Sequence, residues 1–163
     1  MEIINIANCQ FREKVNEHIK KEWGLPIVSR GNIIDVLNLP GFIAVINDEL
    51  IGAILYQIKN DECEIAALFS LKENVGAGSR LINAVIKTAE EQMCKRIWLI
   101  TTNDNTPAIR FYQKRGFSLK AIHVNAFKVT QKIKGEGDGV ILGIDDIPIL
   151  HEVEFEILFA NKR

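Results

Sequence analysis

The sequence predicts an α/β fold, an α+β mixed sheet in which an antiparallel meander joins a central parallel βαβ unit, within a single domain spanning residues 1–163. Three observations predict it. Three apolar, β-branched runs follow one another with short polar breaks: Phe42–Ile46, Leu50–Ile58 and Glu62–Leu71. Gly78, Leu81, Ile82, Val85, Ile86, Ala89 and Met93 then recur at the three- and four-residue steps of an amphipathic helix. Arg96–Thr102 follows as a near-continuous apolar strand, the kind buried on both faces. A strand, a helix and a strand in that order make a right-handed crossover between parallel neighbours.

The remaining elements are placed around that frame. Glu2–Ile6 reads as a first strand. Phe11, Val15, Ile19 and Trp23 lie at helical spacing, and with Phe42 they read as core residues. Gly24-Leu25-Pro26 stops that helix. Asn32–Leu37 is expected to form one or two helical turns. Asn47-Asp48-Glu49 and Lys59-Asn60-Asp61 are the turns of the meander. Asn105 is placed to cap a helix with Thr106 and Pro107 in its first turn; that helix ends at Arg115, with Gly116 just beyond it. Phe117–Phe127 and His151–Phe159 read as further strands. The stretch between them, holding Gly135, Gly137, Gly139 and Gly143, reads as a long connection.

Composition narrows the function classes. The 163 residues are 47% hydrophobic and 25% charged, with a formal net charge of −1. That is ordinary globular composition for one domain. No basic stripe is present, so nucleic-acid binding by phosphate neutralisation is not expected. No apolar run approaches the roughly 18 residues of a membrane span, and MEIINIANCQFREK has no secretory pattern. Cys9, Cys63 and Cys94 are too widely spaced for a zinc knuckle or a disulfide framework, so a reducing cytoplasm is the expected compartment. No cluster of His, Cys and carboxylates has metal-ligand spacing, and no metal is expected.

Two segments carry chemistry. The first, Glu73-Asn74-Val75-Gly76-Ala77-Gly78-Ser79-Arg80, sits where a strand gives way to a helix. Glycines there let backbone N–H groups approach a ligand, and the helix start adds the positive end of its dipole. Together they suit a pyrophosphate. Ser79 offers a hydroxyl, and Arg80 or Lys72 a charge. A P-loop is excluded because no lysine follows the glycines. A dinucleotide fingerprint is excluded because Leu81 stands where a third small residue is needed, and no acid ends the next strand. The second segment, Asn105–Phe117, places Ala108, Phe111 and Tyr112 on one helical face, leaving a slot for a slender ligand.

These segments resemble the two cofactor motifs of the Gcn5-related N-acetyltransferases (GNAT family), Q/R-x-x-G-x-G/A and N-x-x-A-x-x-F-Y-x-x-x-G-F, in the family's order and spacing. The resemblance is close over Phe42–Phe117 and loose over the first strand and helix. TTNDNTPAIRFYQKRGF, with Ile147-Pro148-Ile149 and Glu152, Glu154 and Glu156, resembles one bacterial-type branch. It implies the GNAT acyl-CoA N-acyltransferase fold, acetyl-CoA as co-substrate and a small amine as acceptor, in a monomer or homodimer. Glu73 departs from the pattern, since it stands where the family has Gln or Arg, and a carboxylate beside a pyrophosphate is unfavourable.

Residue by residue, the resemblance implies that the strand end Leu68-Phe69-Ser70 pairs with the pantetheine arm. It implies that Asn74, Val75, Gly76, Ala77, Gly78, Ser79 and Arg80 take the pyrophosphate, and that Asn105, Ala108 and Phe111 line the arm. Tyr112 matches the general acid that protonates the departing thiolate; the alternative is a tyrosine used for packing. Glu64 matches a carboxylate that takes the amine's proton, directly or through water; the alternative is a strand-end group facing solvent. Cys63 and Cys94 are the groups able to carry an acyl intermediate, but neither has a neighbouring His. Arg30, His123, Asn125, His151, Glu152 and Glu154 are candidates for the acceptor side. Glu152, Glu154 and Glu156 alternate with apolar residues, as on the wet face of an edge strand or on a surface that attracts a cationic amine. Two further readings stay open: a weakly catalytic sensor of acyl-CoA, and a protein or peptide N-acetyltransferase.

Overall fold

The computed structural model describes residues 1–8 and 10–160, so Cys9 lies outside the described residues. Its elements are β1 (Glu2–Asn5), α1 (Arg12–Trp23), β2 (Ile27–Ser29), β3 (Asn32–Ile34), β4 (Gly41–Ile46), β5 (Glu49–Lys59), β6 (Glu62–Ser70), α2 (Ala77–Glu91), β7 (Arg96–Thr102), α3 (Thr106–Lys114), β8 (Ser118–His123), α4 (Phe127–Ile133) and β9 (Glu152–Leu158). A seven-stranded sheet runs in the order β1-β4-β5-β6-β7-β9-β8. Among the described residues its one parallel pair is β6 with β7. The expected meander joined to a parallel βαβ unit is therefore present.

Local chemistry sets the hairpins. Asn47 and Asp48 (φ 49° and 61°) and Asn60 and Asp61 (φ 51° and 61°) take left-handed conformations that Asn and Asp tolerate well. Two such residues in a row match the twist of antiparallel strands. One face of the sheet packs on α2, where Leu81, Ile82, Val85 and Ala89 meet Ile54, Ile65, Ile97 and Phe155. The other face packs on α1, where Val15 and Ile19 meet Ile43, Leu55, Ala67 and Phe69. Each fully buried aliphatic side chain contributes roughly 1.5–3 kcal/mol by leaving water.

The structure corrects four expectations. Asn32–Ile34 is a strand paired with Ile27–Ser29, because Arg30 and Gly31 (φ 50° and 75°) make a tight turn; only Val36–Asn38 is helical, as a single 3-10 turn. The strand after Gly116 stops at His123, and Phe127 opens α4 inside the expected connection. Trp23 is 39% exposed and lines a cleft, rather than sitting in the core. Glu152, Glu154 and Glu156 do not form a wet edge. Strand β9 lies between β7 and β8, and the three residues are 2%, 3% and 7% exposed.

Candidate active site

The sheet forks at Glu64. Strand β6 stays bonded to β5 as far as Ser70, and β7 stays bonded to β9 as far as Thr102. Their mutual pairing covers only Glu62 with Arg96, Cys63 with Ile97 and Glu64 with Trp98. Beyond it, residues 65–70 and 99–102 face each other without ladder bonds. A bulge at the fork leaves Ala66 without an opposite residue, since Ile65 pairs Tyr56 and Ala67 pairs Leu55. Bulges bend a strand, and this one turns β6 away from β7. Free backbone N–H and C=O groups along a strand edge accept an extended partner.

A cleft of about 380 Å³ occupies the fork. Ile65–Leu68 and Leu99–Thr102 form its two sides, and Asn105, Ala108 and Tyr112 reach it from α3. Of the expected strand end, Leu68 lines the cleft, while Phe69 turns to the other layer beneath the His18 ring at 4.0 Å. Ser70 Oγ donates to the Lys72 carbonyl at 2.8 Å.

The loop before α2 has the expected form. Asn74 (φ 59°) and Gly76 (φ 77°) are left-handed, and Gly76 caps the helix. The first N–H groups of a helix lack acceptors within it and remain available to an anion. Gly78 lets the Phe111 ring pack close: a Cβ there would lie 2.8 Å from Phe111 Cζ, and the ring would have to shift. Val75 and Glu73 are exposed, and Ala77 is buried. The expected charges are placed differently. Arg80 Nη1 donates to the Met1 carbonyl at 2.7 Å, and Lys72 lies 3.5 Å from Glu49. Arg115, which sequence reasoning missed, donates from Nε to Ser79 Oγ at 2.8 Å and stacks 3.4 Å from the Phe111 ring centroid. The sequence signal was the four-residue step from Phe111 to Arg115 on one helix.

Helix α3 presents the tyrosine. Asn105 Oδ1 accepts from the Ala108 N–H at 3.2 Å, fixing where the helix begins. Gly116 (φ 90°) ends it. Tyr112 is then held by Phe111, Phe117 and Phe155, with ring centroids 5.2, 5.5 and 6.3 Å away. Burial pushes its phenol well above the usual range, and the nearby Arg115 charge lowers it by less. A phenol so placed stays protonated at neutral pH and is a donor rather than a base.

Glu64 is 7% exposed and accepts from Gln57 Nε2 at 2.9 Å, so it is not a solvent-facing strand end. It lines the cleft and also a second cavity of about 410 Å³ beneath the β2–β3 hairpin. Beside it lies a polar layer built on Arg96. Its guanidinium reaches Glu62 at 3.0 Å, Glu154 at 2.6 Å and Glu156 at 2.9 Å. Burial alone disfavours the Arg96 cation, but hydrogen bonds to Glu154, Glu62 and Glu156 outweigh it and raise its pKa.

The acceptor-side candidates separate. Arg30 lies over the Trp98 ring, 5.5 Å from its centroid, and lines the second cavity. Glu152 lines the cleft. His123 Nε2 lies 2.9 Å from Glu154 Oε1, within the polar layer. Asn125 N donates to His151 Nδ1 at 2.9 Å, so those two residues hold a turn. Cys63 is fully buried, and burial pushes its thiol up to about 12, with Cys94 and Glu64 adding to the shift. Such a thiol is not a nucleophile near neutrality.

Residues 2–117 match the family model described as the acetyltransferase (GNAT) family. Two Bacillus subtilis (strain 168) proteins are similar throughout. YxbD is 38% identical over 153 residues, covering 91% of this chain and 94% of the relative. YdhI is 41% identical over 139 residues, covering 83% and 86%. A Bacillus subtilis acetyltransferase crystallised with CoA shares the fold at a TM-score of 0.71 and 17% identity, over 98% of this chain and all of that one (100%). A GNAT acetyltransferase from Elizabethkingia anophelis with acetyl-CoA bound does so at 0.63 and 23% identity, over 74% and 76%. The family's motif residues fall at the fork, on the loop and along α3 of this structure, and the chain belongs to the GNAT family of acetyltransferases.

Proposed function

We propose that this chain moves the acetyl group of acetyl-CoA to a primary amine of a small molecule, by direct attack within a ternary complex. The observation that carries this reading is the fork. A slender, amide-bearing arm matches its free strand edges, a helix start lies at one end, and Tyr112 and Glu64 both line the cleft. In this reading the N–H groups of residues 74–80 hold the pyrophosphate. The backbone from Ile65 to Ser70 pairs with the pantetheine arm, while Asn105, Ala108 and Phe111 bound it. The amine nitrogen attacks the thioester carbonyl carbon and the C–S bond breaks. Tyr112 gives its proton to the departing thiolate, and Glu64 takes one from the nitrogen, directly or through water. A cleft of about 380 Å³, walled by β2 and α4, supports a compact acceptor.

Initial rates of thiol release, with acetyl-CoA and the amine both varied, test the order of events. Direct attack gives intersecting double-reciprocal lines; parallel lines would show an acyl-enzyme and defeat the reading. Cys63→Ala is expected to leave turnover within about twofold, because the buried thiol carries no acyl group. A loss of a hundredfold or more, with the fold intact, would contradict that. Glu64→Gln is expected to remove the acidic limb of the kcat/KM profile and to lower its plateau at least tenfold. An unchanged acidic limb rules Glu64 out as the base.

A further inference from the structure

We infer that the acceptor carries a second cationic nitrogen and that Glu152 holds it, so that the preferred acceptor class is an α,ω-diamine with an apolar spacer. The inference rests on the amine acetylation proposed above and names its substrate class.

Charge matching in the polar layer points there. Glu62, Glu154 and Glu156 share Arg96. Glu156 also has Lys120 at 3.8 Å, and Glu154 has His123 at 2.9 Å and Arg30 at 3.9 Å. Two carboxylates on the same face are left over. Among the described residues, Glu64 accepts only from the Gln57 amide, and Glu152 only from Thr130 Oγ1 at 2.9 Å and the Arg30 backbone N–H at 3.2 Å. All of these donors are neutral, and none of the ion pairs among the described residues involves Glu64 or Glu152. Glu64 is 7% exposed and Glu152 is 2% exposed. A carboxylate buried without a cation is unfavourable, and a bound ammonium offsets that cost.

Both groups line one cleft. Ser29 lines it too, is 7% exposed, and its buried hydroxyl has no hydrogen-bond partner among the described residues. The cation lining the cleft, Lys134, is already engaged: its Nζ donates to the Trp23 carbonyl at 2.7 Å and lies 3.6 Å from Glu136. The remaining walls include Trp23, Ile27, Val28, Ile34, Phe127 and Ile149. An occupant with an apolar body and cationic ends matches that lining.

Register sets the spacing. Glu64 stands opposite Trp98, and Glu152 opposite Thr102, on either side of β7. Four residues along a strand is about 13 Å, and two strand spacings add about 10 Å across. One ammonium does not reach both carboxylates. A diamine does, with one nitrogen at Glu64 to react and the other at Glu152 to anchor.

The test is thiol release from acetyl-CoA with three six-carbon acceptors: 1,6-diaminohexane, hexylamine and 6-aminohexanoate. The diamine is expected to have a kcat/KM at least tenfold above hexylamine, with 6-aminohexanoate lowest. Glu152→Gln is expected to raise KM for the diamine at least tenfold and to bring the diamine-to-hexylamine ratio close to one. Ser29→Ala, which removes a hydroxyl without a partner among the described residues, is expected to raise the same KM about threefold with an unchanged melting temperature. If Glu152→Gln does not fold, the wild-type ratio and Ser29→Ala decide. A wild-type ratio near one, or a ratio that Glu152→Gln leaves intact, overturns the inference. Reaction of some other amine while all three of these fail overturns it and leaves acetyl transfer standing. Failure of every amine overturns both.

Discussion

Tyr112→Phe is expected to lower turnover with an amine acceptor on the order of a hundredfold, the range for losing a positioned general acid. Acetyl-CoA affinity and melting temperature are expected to change little. The ring keeps its packing against Phe111, Phe117 and Phe155, which fixes it without the hydroxyl. Among the described residues the hydroxyl has no hydrogen-bond partner to lose. Burial raises its pKa, so the wild-type group remains protonated across the neutral range and supplies a proton where the thiolate forms. Single-turnover rates with saturating acetyl-CoA, set beside calorimetric titration of CoA, separate the chemical step from binding. Wild-type turnover in the variant removes Tyr112 from the mechanism.

Arg96→Ala is expected to destabilise the fold by about 3–5 kcal/mol, the usual cost of stripping a buried charge of its partner. The Arg96 side chain is largely buried, and its loss leaves the buried carboxylates of Glu154 and Glu156 without their strongest ion pairs. Arg96→Lys is expected to recover only part of the loss, because one ammonium does not reproduce the planar fork that meets three carboxylates. Urea unfolding measures both; a loss below about 1 kcal/mol for Arg96→Ala would contradict the predicted role.

The same layer sets the acid limit. Burial alone raises Glu154, but hydrogen bonds from Arg96 and His123 and the charges of Arg96 and Arg30 hold it below its ordinary 4.5. A carboxylate with a depressed folded pKa contributes stability above its unfolded value and loses that contribution as pH falls through the folded one. Wild-type protein should therefore lose stability below pH 4.5, and Arg96→Ala should unfold at a higher pH.

The sequence made the helix Asn105–Phe117 legible because its signals are local. A capping side chain, a proline in the first turn and a glycine beyond the end all act within a few residues of where they stand. The meander was legible for the same reason, through Asn-Asp turns and β-branched runs. The fork was not, since nothing in the composition of residues 65–70 says that pairing with β7 stops at Glu64. It entered only through the family resemblance. The alternation of Glu152, Glu154 and Glu156 gave their common face correctly but not what covers it. Their cation, Arg96, lies 58 residues before Glu154, and their cover comes from α4 and the β2–β3 hairpin. Those elements of three to seven residues are too short to show a period. Arg115 was hidden because its partner Ser79 lies 36 residues away on another helix.

The most direct measurement is free-thiol release from acetyl-CoA by the wild-type protein across a panel of primary amines, with the products identified by mass spectrometry. Acetyl transfer predicts free CoA and acetylated amine in equal amounts, and thiol release that depends on the amine. Tight acetyl-CoA binding with no amine-dependent thiol release across the panel contradicts it and leaves a protein that only holds the acyl-CoA.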